Sequence, residues 1–374
     1  MKKAEINEFY EFVMESAPEA ETIINGRKYL YFGGVGYYQL QSHPEIIRAA
    51  VDATLKFGIH SATSRSITGM TQLHFDVERK AAEFFGCDDA AYLPSGYLSN
   101  IAGIQALNAM KAFDVIFIDE TAHYCNLDGA YSVNKPVFKF KNNDPAELDR
   151  QIREHLGAAE KPLIVTDGIF SVYGIIAMIP EFLKIAEEYN GLIWIDDAHA
   201  SGVSGPQGRG TYDFFNLKSD RLFFGSTLSK AFGGFGGIVP GNTEFIRNIR
   251  RGNTINGGSK PTNAAAAASL RGLEIVMENP GIRQKLWDNA LYLKKGLRTL
   301  GISVEDNYLP MAAFSTGNAS NMKGIHSELL KRGIFIQHSK YVGAGSEGAL
   351  RMVVFSTHAK NQIQYLLDNL KEVL

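Results

Sequence analysis

Lys230 stands among small residues in Gly225-Ser226-Thr227-Leu228-Ser229-Lys230-Ala231-Phe232-Gly233-Gly234, directly after the strand-like run from Arg221 to Gly225. An amine held in that setting suits imine chemistry with a carbonyl compound. Upstream, Ile195-Asp196-Asp197-Ala198-His199 closes another apolar run on a carboxylate, with a histidine three residues on. A carboxylate at such a strand end can be aimed at a ring nitrogen. Each feature has a plainer role when taken singly, because most Ser-Lys pairs lie on surfaces and most strand-end aspartates cap turns. Their order, spacing and strand context join them. Together they fit pyridoxal 5′-phosphate (PLP), with Lys230 as the Schiff-base lysine and Asp196 as the partner of the protonated ring nitrogen.

That coenzyme also needs a partner for its phenolate oxygen, a cover for its ring and a cradle for its phosphate. His199 could donate to the phenolate, or it could be a satisfied core histidine. Asp197, next along the extended run, points to the opposite face. Ser95-Gly96-Tyr97 follows the strand-like Ala91-Tyr92-Leu93-Pro94 and opens a helical pattern carrying Ile101, Ile104 and Leu107. Backbone N–H groups at a helix start attract anions, and the glycine lets a phosphate approach closely. Thr227 can add a hydroxyl. His123, in Asp119-Glu120-Thr121-Ala122-His123, could cover the ring or serve structure.

The elements that must position these groups alternate. Val115–Asp119, Leu163–Asp167, Leu192–Asp196 and Leu222–Gly225 are short apolar runs ending in polar or small residues, as expected of strands in a parallel sheet covered on both faces. Helical spacing links Val77, Ala81, Phe84 and Phe85 before Gly86, and Phe182, Ile185, Ala186 and Tyr189 before Asn190-Gly191. This is an α/β pattern, in which ligands collect beyond the carboxyl ends of the strands, where Asp119, Asp167 and Asp196 fall. With 374 residues, 45% of them hydrophobic, two domains are expected. The reading places an N-terminal segment at 1–40, a large coenzyme-binding domain at 41–264 and a small C-terminal domain at 265–374. The alanine-rich run from Asn263 begins the link between the last two. A closing helix spans about His358 to Leu374, and the N-terminal segment packs with the small domain.

Composition excludes several classes. The net charge of −2 gives no basic field for nucleic acid or an anionic membrane. The apolar run from Gly168 to Pro180 is too short to span a bilayer. Cys87 and Cys125 show neither metal-ligand spacing nor a disulfide framework, so no metal is expected, and a reduced cytoplasm is the natural compartment. Cys125 is expected to be a small packed residue. No Gly-x-Gly-x-x-Gly follows a strand.

Asp196-Asp197-Ala198-His199 with Gly202-Val203, Gly205 and Gly208-Arg209-Gly210, then Thr227-Leu228-Ser229-Lys230-Ala231-Phe232-Gly233, resembles the α-oxoamine synthase family. Ser64-Arg65, Gly69 and His74, Ser95-Gly96-Tyr97 with Asn100, and Phe170-Ser171 with Gly174 extend the similarity from about Tyr29 to the C-terminus. The resemblance implies a fold-type-I PLP transferase of α/β class. Its large domain has a mostly parallel seven-stranded sheet between helices, and its smaller C-terminal domain is α+β. It implies a homodimer whose active site lies between subunits. His123 falls where the family stacks a histidine on the coenzyme, Ser171 lies beside the coenzyme, and Leu350-Arg351 matches a pair that supplies a substrate-carboxylate contact, a task suited to a guanidinium. The implied reaction joins a small amino acid to an acyl-CoA, or an acyl carrier protein thioester, with loss of CO2. In it Lys230 removes the Cα proton, and His123 orients the amino acid carboxylate or assists the acyl step.

The chain departs from the family pattern at Gly36-Tyr37-Tyr38-Gln39-Leu40, at Asn142-Asn143-Asp144, at Tyr173 and Ile175, and at Gly257-Gly258, where the family has a phosphate-reaching threonine. A glycine N–H or Ser259 could replace that threonine. The rival reading is another fold-type-I PLP enzyme, an aminotransferase or an aldolase. Many aminotransferases hold the phosphate with an arginine about eight residues after the lysine, where this chain has Gly236-Gly237-Ile238-Val239.

Overall fold

The computed structural model describes residues 12–374, and contacts divide them into two compact units. One comprises residues 43–171 and 175–280; the other comprises 12–42, 172–174 and 281–374. The part of the expected 1–40 segment that precedes Phe12 lies outside the described residues. The alanine-rich helix Asn263–Glu278 belongs wholly to the first unit, so this division falls after Pro280 rather than at 264/265.

The first unit is built on seven strands, labelled here in chain order: β1 Asp89–Leu93, β2 Val115–Asp119, β3 Val137–Phe140, β4 Pro162–Asp167, β5 Leu192–Asp196, β6 Leu222–Thr227 and β7 Gly237–Gly241. Their spatial order is β1-β7-β6-β5-β4-β2-β3. Pairing from β6 across to β3 is parallel, whereas β7 runs antiparallel to both β6 and β1. The expected α/β architecture with a mostly parallel seven-stranded sheet is thus present.

The apolar strands divide their side chains between two cores because successive residues face opposite sides. Ile116, Ile118, Leu163, Val165 and Trp194 enter one cluster, with Ile104 and Leu107 from the helix Gly96–Ala109. Val115, Phe117, Ile164, Ile193 and Ile195 enter the other, with Phe182 and Ala186 from the helix Ile179–Glu188. Those continuous hydrophobic runs therefore read correctly as strands buried on both faces. Register sets the chemistry: Asp196 at the end of β5 pairs with Asp167 of β4 on one side and with Gly225 of β6 on the other. Asp119 serves its turn, accepting from the N–H groups of Thr121 (2.8 Å) and Asn143 (2.7 Å).

The second unit is α+β. A hairpin, Glu21–Ile24 with Arg27–Tyr31, turns at Asn25-Gly26 with positive φ at both residues and pairs in parallel with Ile334–Phe335. A second sheet holds Met311–Phe314, Ala349–Val353 and Gln337–Ser339 in that order. The helices Gly281–Thr299, Ala319–Lys331 and Lys360–Val373 close its core through Leu293, Leu297, Leu329, Leu366 and Leu370. No helix among the described residues is long and apolar enough to cross a membrane.

Gly103, in the helix over β5, leaves the space that the Trp194 ring fills; a Cβ there would overlap the indole. Gly103→Ala is expected to lower stability by about 1–3 kcal/mol through overpacking, read by chemical denaturation.

Candidate active site

The site begins where β6 ends. The chain leaves Thr227, forms a closed loop and returns as β7. Leu228 N–H donates to Gly236 O (2.9 Å), Gly234 N–H to Leu228 O (2.9 Å) and Gly236 N–H to Ser229 Oγ (3.1 Å). Lys230 rides on this loop, half-buried, with Nζ 2.8 Å from His199 Nε2. The structure thus brings the amine and the imidazole together.

Asp196 is buried at the end of β5. Its Oδ1 accepts from Ala198 N–H (3.1 Å), and its Oδ2 from Asn100 Nδ2 (2.8 Å) and from the Cys125 thiol (3.3 Å). Among the described residues no lysine or arginine forms an ion pair with it. Asp197 does face the other side. It accepts from Thr211 N–H (2.8 Å) and from the Thr211 hydroxyl, and burial pushes its carboxyl up to about 7.

His123 caps the helix Tyr124–Tyr131, its Nδ1 accepting from Cys125 N–H at 3.2 Å. Nδ1 also lies 2.7 Å from Cys125 Sγ. Burial lowers its pKa, the Asp196 carboxylate opposes that shift and Lys230 reinforces it. The ring is thus a neutral one with Nδ1 as acceptor, which leaves the proton on Nε2. The backbone N–H of His123 donates to Asp167 Oδ1 (3.1 Å), as does Asn126 Nδ2 (2.9 Å). Burial, then the neighbouring Asp196, raises the pKa of Asp167 well above the usual carboxylate range.

Ser95 caps the helix Gly96–Ala109, its Oγ accepting from Leu98 N–H. A Cβ on Gly96 would lie 2.8 Å from Thr227 Cβ, so only glycine lets the helix start approach β6 this closely. The Thr227 hydroxyl donates to Gly236 O (2.9 Å) and accepts from Ser229 N–H (3.2 Å). Tyr97 projects outward, its hydroxyl bonded to Asp128 and its ring edge-on to His123 at 6.0 Å between centroids. Ser171 follows the short strand Ile169–Phe170 and is half-buried.

These residues fit pyridoxal phosphate. A buried carboxylate that forms no ion pair among the described residues suits a pyridinium, because burying a charge unpaired is costly. A lysine amine meets a histidine at 2.8 Å nearby. A glycine-bearing helix start lies against β6 and offers N–H groups to an anion. The His123, Cys125 and Asp196 atoms lie within 4.8 Å of one another, with Cys125 Sγ contacting both His123 Nδ1 and Asp196 Oδ2.

Arg351 belongs to the other unit. It is buried there, donating to Gln337 Oε1 (2.7 Å) and Gly34 O (3.5 Å), and burial lowers its pKa while Tyr37 and Tyr31 oppose that. Cys125 is more than the packed residue expected, since it touches both Asp196 and His123. Asn100 and Trp194 were read only as a motif match and a strand residue. Only a three-dimensional register, Trp194 Nε1 to Asn100 Oδ1 at 3.0 Å, shows their link to Asp196.

The family model described as aminotransferase class I and II matches residues 34–370. The 8-amino-7-oxononanoate synthase of Thermoanaerobacter pseudethanolicus is 34% identical over 96% of this chain and 91% of its own. That of Alkaliphilus oremlandii is 32% identical over 96% and 91%. Serine palmitoyltransferase from S. paucimobilis, solved with bound PLP, superposes with a TM-score of 0.90 at 25% identity, covering 97% of this chain and 92% of that one. The chain belongs to the α-oxoamine synthase family. Like its relatives in that family it is a PLP-dependent acyltransferase with the fold-type-I architecture. In this α-oxoamine synthase the larger unit brings together the helix start at Ser95, the helix cap at His123, the end of β5 and the β6–β7 loop.

Asp197 gives a pH signature. In the unfolded chain its carboxyl titrates near 3.8, in the folded one near 7. Between those values the folded state holds more protons, so this group's contribution to stability falls as pH rises from about 4 to 7 and is level above. Asp197→Asn is expected to flatten that part of the denaturation-versus-pH curve.

Proposed function

We propose that this protein condenses a small amino acid with an acyl thioester, releasing CO2 and the thiol and yielding an α-aminoketone. The observation that carries the reading is the presence, within one unit, of a buried Asp196 carboxylate held by neutral donors and of a Lys230 amine that contacts His199. The synthase relatives support the thioester half. By the chemistry of their product's name, alanine and a dicarboxylic acyl thioester are the first pair to test. The acyl carrier is CoA or an acyl carrier protein.

Pyridoxal phosphate, when bound, supplies a carbonyl for amines and an electron sink for the charge left at Cα. Lys230 holds the coenzyme at rest and, once displaced, takes the proton from Cα of the amino acid. The Asp196 carboxylate would pair with the ring nitrogen and favour its protonated form. His199 orients Lys230 and donates to the phenolate oxygen. His123 would cover the coenzyme ring, with its Nε2–H available to the carboxylate or carbonyl oxygen of the substrate. Ser95, Gly96 and Tyr97 present the helix start to the phosphate, with Thr227 beside it, and Ser171 flanks the coenzyme. Arg351 is assigned to the substrate carboxylate.

Two further parts of the reading concern assembly and place. The helix Pro44–Phe57 exposes Ile47, Val51 and Leu55, spaced four apart, with Leu55 80% exposed, and Ile59 follows. Such a stripe supports a homodimer. Cys87 and Cys125 form no disulfide, which supports a cytoplasmic setting.

Lys230→Ala is expected to abolish the visible absorbance of lysine-bound coenzyme and to stop thiol release from an amino acid plus acyl-CoA panel. Retention of both would remove the lysine assignment. Asp196→Asn should keep some coenzyme yet slow Cα–H exchange of the amino acid by orders of magnitude, followed by NMR in D2O. Keto acid formation without thiol release would support the aminotransferase reading instead. Sedimentation should give twice the chain mass, and Leu55→Glu with Val51→Glu should shift it toward the monomer.

A further inference from the structure

The Asp196 carboxylate is reached by a line of side chains inside the larger unit that the reaction itself does not use. Trp194 is fully buried two residues before Asp196, and its indole N–H can only donate. It reaches Asn100 Oδ1 at 3.0 Å. That contact settles the orientation of the amide, so Asn100 Nδ2 faces Asp196 Oδ2 at 2.8 Å. The same nitrogen lies 3.1 Å from Cys125 Sγ and 3.4 Å from Gly96 O. The reversed amide would set two donors against each other at Trp194 and two acceptors against each other at Asp196. Each conflict would cost a buried hydrogen bond.

The surroundings are shaped for this line. A Cβ on Gly225 would lie 2.9 Å from both Asn100 Oδ1 and Trp194 Cζ2, and one on Gly103 would overlap the indole. Asn100 also stands in the helix that starts at Gly96, one turn below the proposed phosphate cradle. The line therefore fixes Asp196 relative to that helix start.

We propose that Trp194 is a positioning residue for the coenzyme: through Asn100 it holds the Asp196 carboxylate in place for the pyridinium nitrogen. The proposal rests on the role given to Asp196 above. Trp194→Phe keeps an aromatic ring and deletes the N–H, while Asn100→Ala removes the intermediary.

The test measures the PLP dissociation constant of the holoenzyme by equilibrium dialysis, together with the pH midpoint of the bound coenzyme's visible absorbance. Trp194→Phe should weaken PLP binding about fivefold, the worth of one net hydrogen bond, and move the midpoint. In an Asn100→Ala background the same substitution should change neither quantity. Equal losses in both backgrounds would mean packing alone and would overturn the proposal, as would no loss in the native background. If Trp194→Phe does not fold, Asn100→Asp serves. It keeps an acceptor for the indole but sets a second carboxylate against Asp196, and should weaken PLP binding at least about tenfold; unchanged binding overturns the proposal. Asp196→Asn is run in parallel. An unchanged absorbance midpoint there defeats the Asp196 assignment itself, whereas a shifted one beside an inert Trp194→Phe defeats only the role of Trp194.

Discussion

A buried carboxylate at the end of β5 that forms no ion pair with a described lysine or arginine is the constraint around which the larger unit is organised. Three neutral donors, from Ala198, Asn100 and Cys125, hold its oxygens in place. Neutral donors fix direction but do not balance charge, so the site is complementary to a cationic ring nitrogen. The neighbouring groups follow from that choice. Asp167, one strand away in register, sits with its pKa raised, and it meets the backbone of His123 and the Asn126 amide rather than a base.

His123 shows how secondary structure decides protonation chemistry. As a helix cap it gives its Nδ1 lone pair to a backbone N–H, and burial disfavours a second proton. The nitrogen that faces away from the cap is thereby a donor. A histidine in the same place without the capping duty would be free to choose either tautomer. The loop carrying Lys230 is similarly determined by backbone bonds that close it between β6 and β7.

Much of this was legible in the chain. The strands at Val115, Leu163, Leu192 and Leu222 announced themselves because both sheet faces are buried, Asp196 and Asp197 were placed by strand end and alternation of faces, and His199 by its spacing just beyond them. The opening of the helix at Ser95-Gly96 was equally readable, since a cap and a glycine leave local signals. What stayed hidden was whatever depends on side chains meeting across elements. Cys125 read as a packing residue because its partners, Asp196 and Asn100, come from a strand and a different helix. Trp194 read as one more apolar strand residue, its N–H being invisible to hydropathy. The alanine-rich helix at Asn263 was read as a link, yet its face joins the larger unit: a Cβ on its Gly272 would overlap Phe232 O.

The antiparallel strand β7 carries a temporal consequence. It alone joins β1, which leads into the helix start at Ser95, to β6, which leads into the lysine loop. Its partners on the β1 side lie far back in the sequence, Leu93 opposite Gly237 and Asp89 opposite Gly241. Such long-range pairing forms late. The sheet of the larger unit is therefore closed from β1 to β6 only once the chain has been made as far as Gly241.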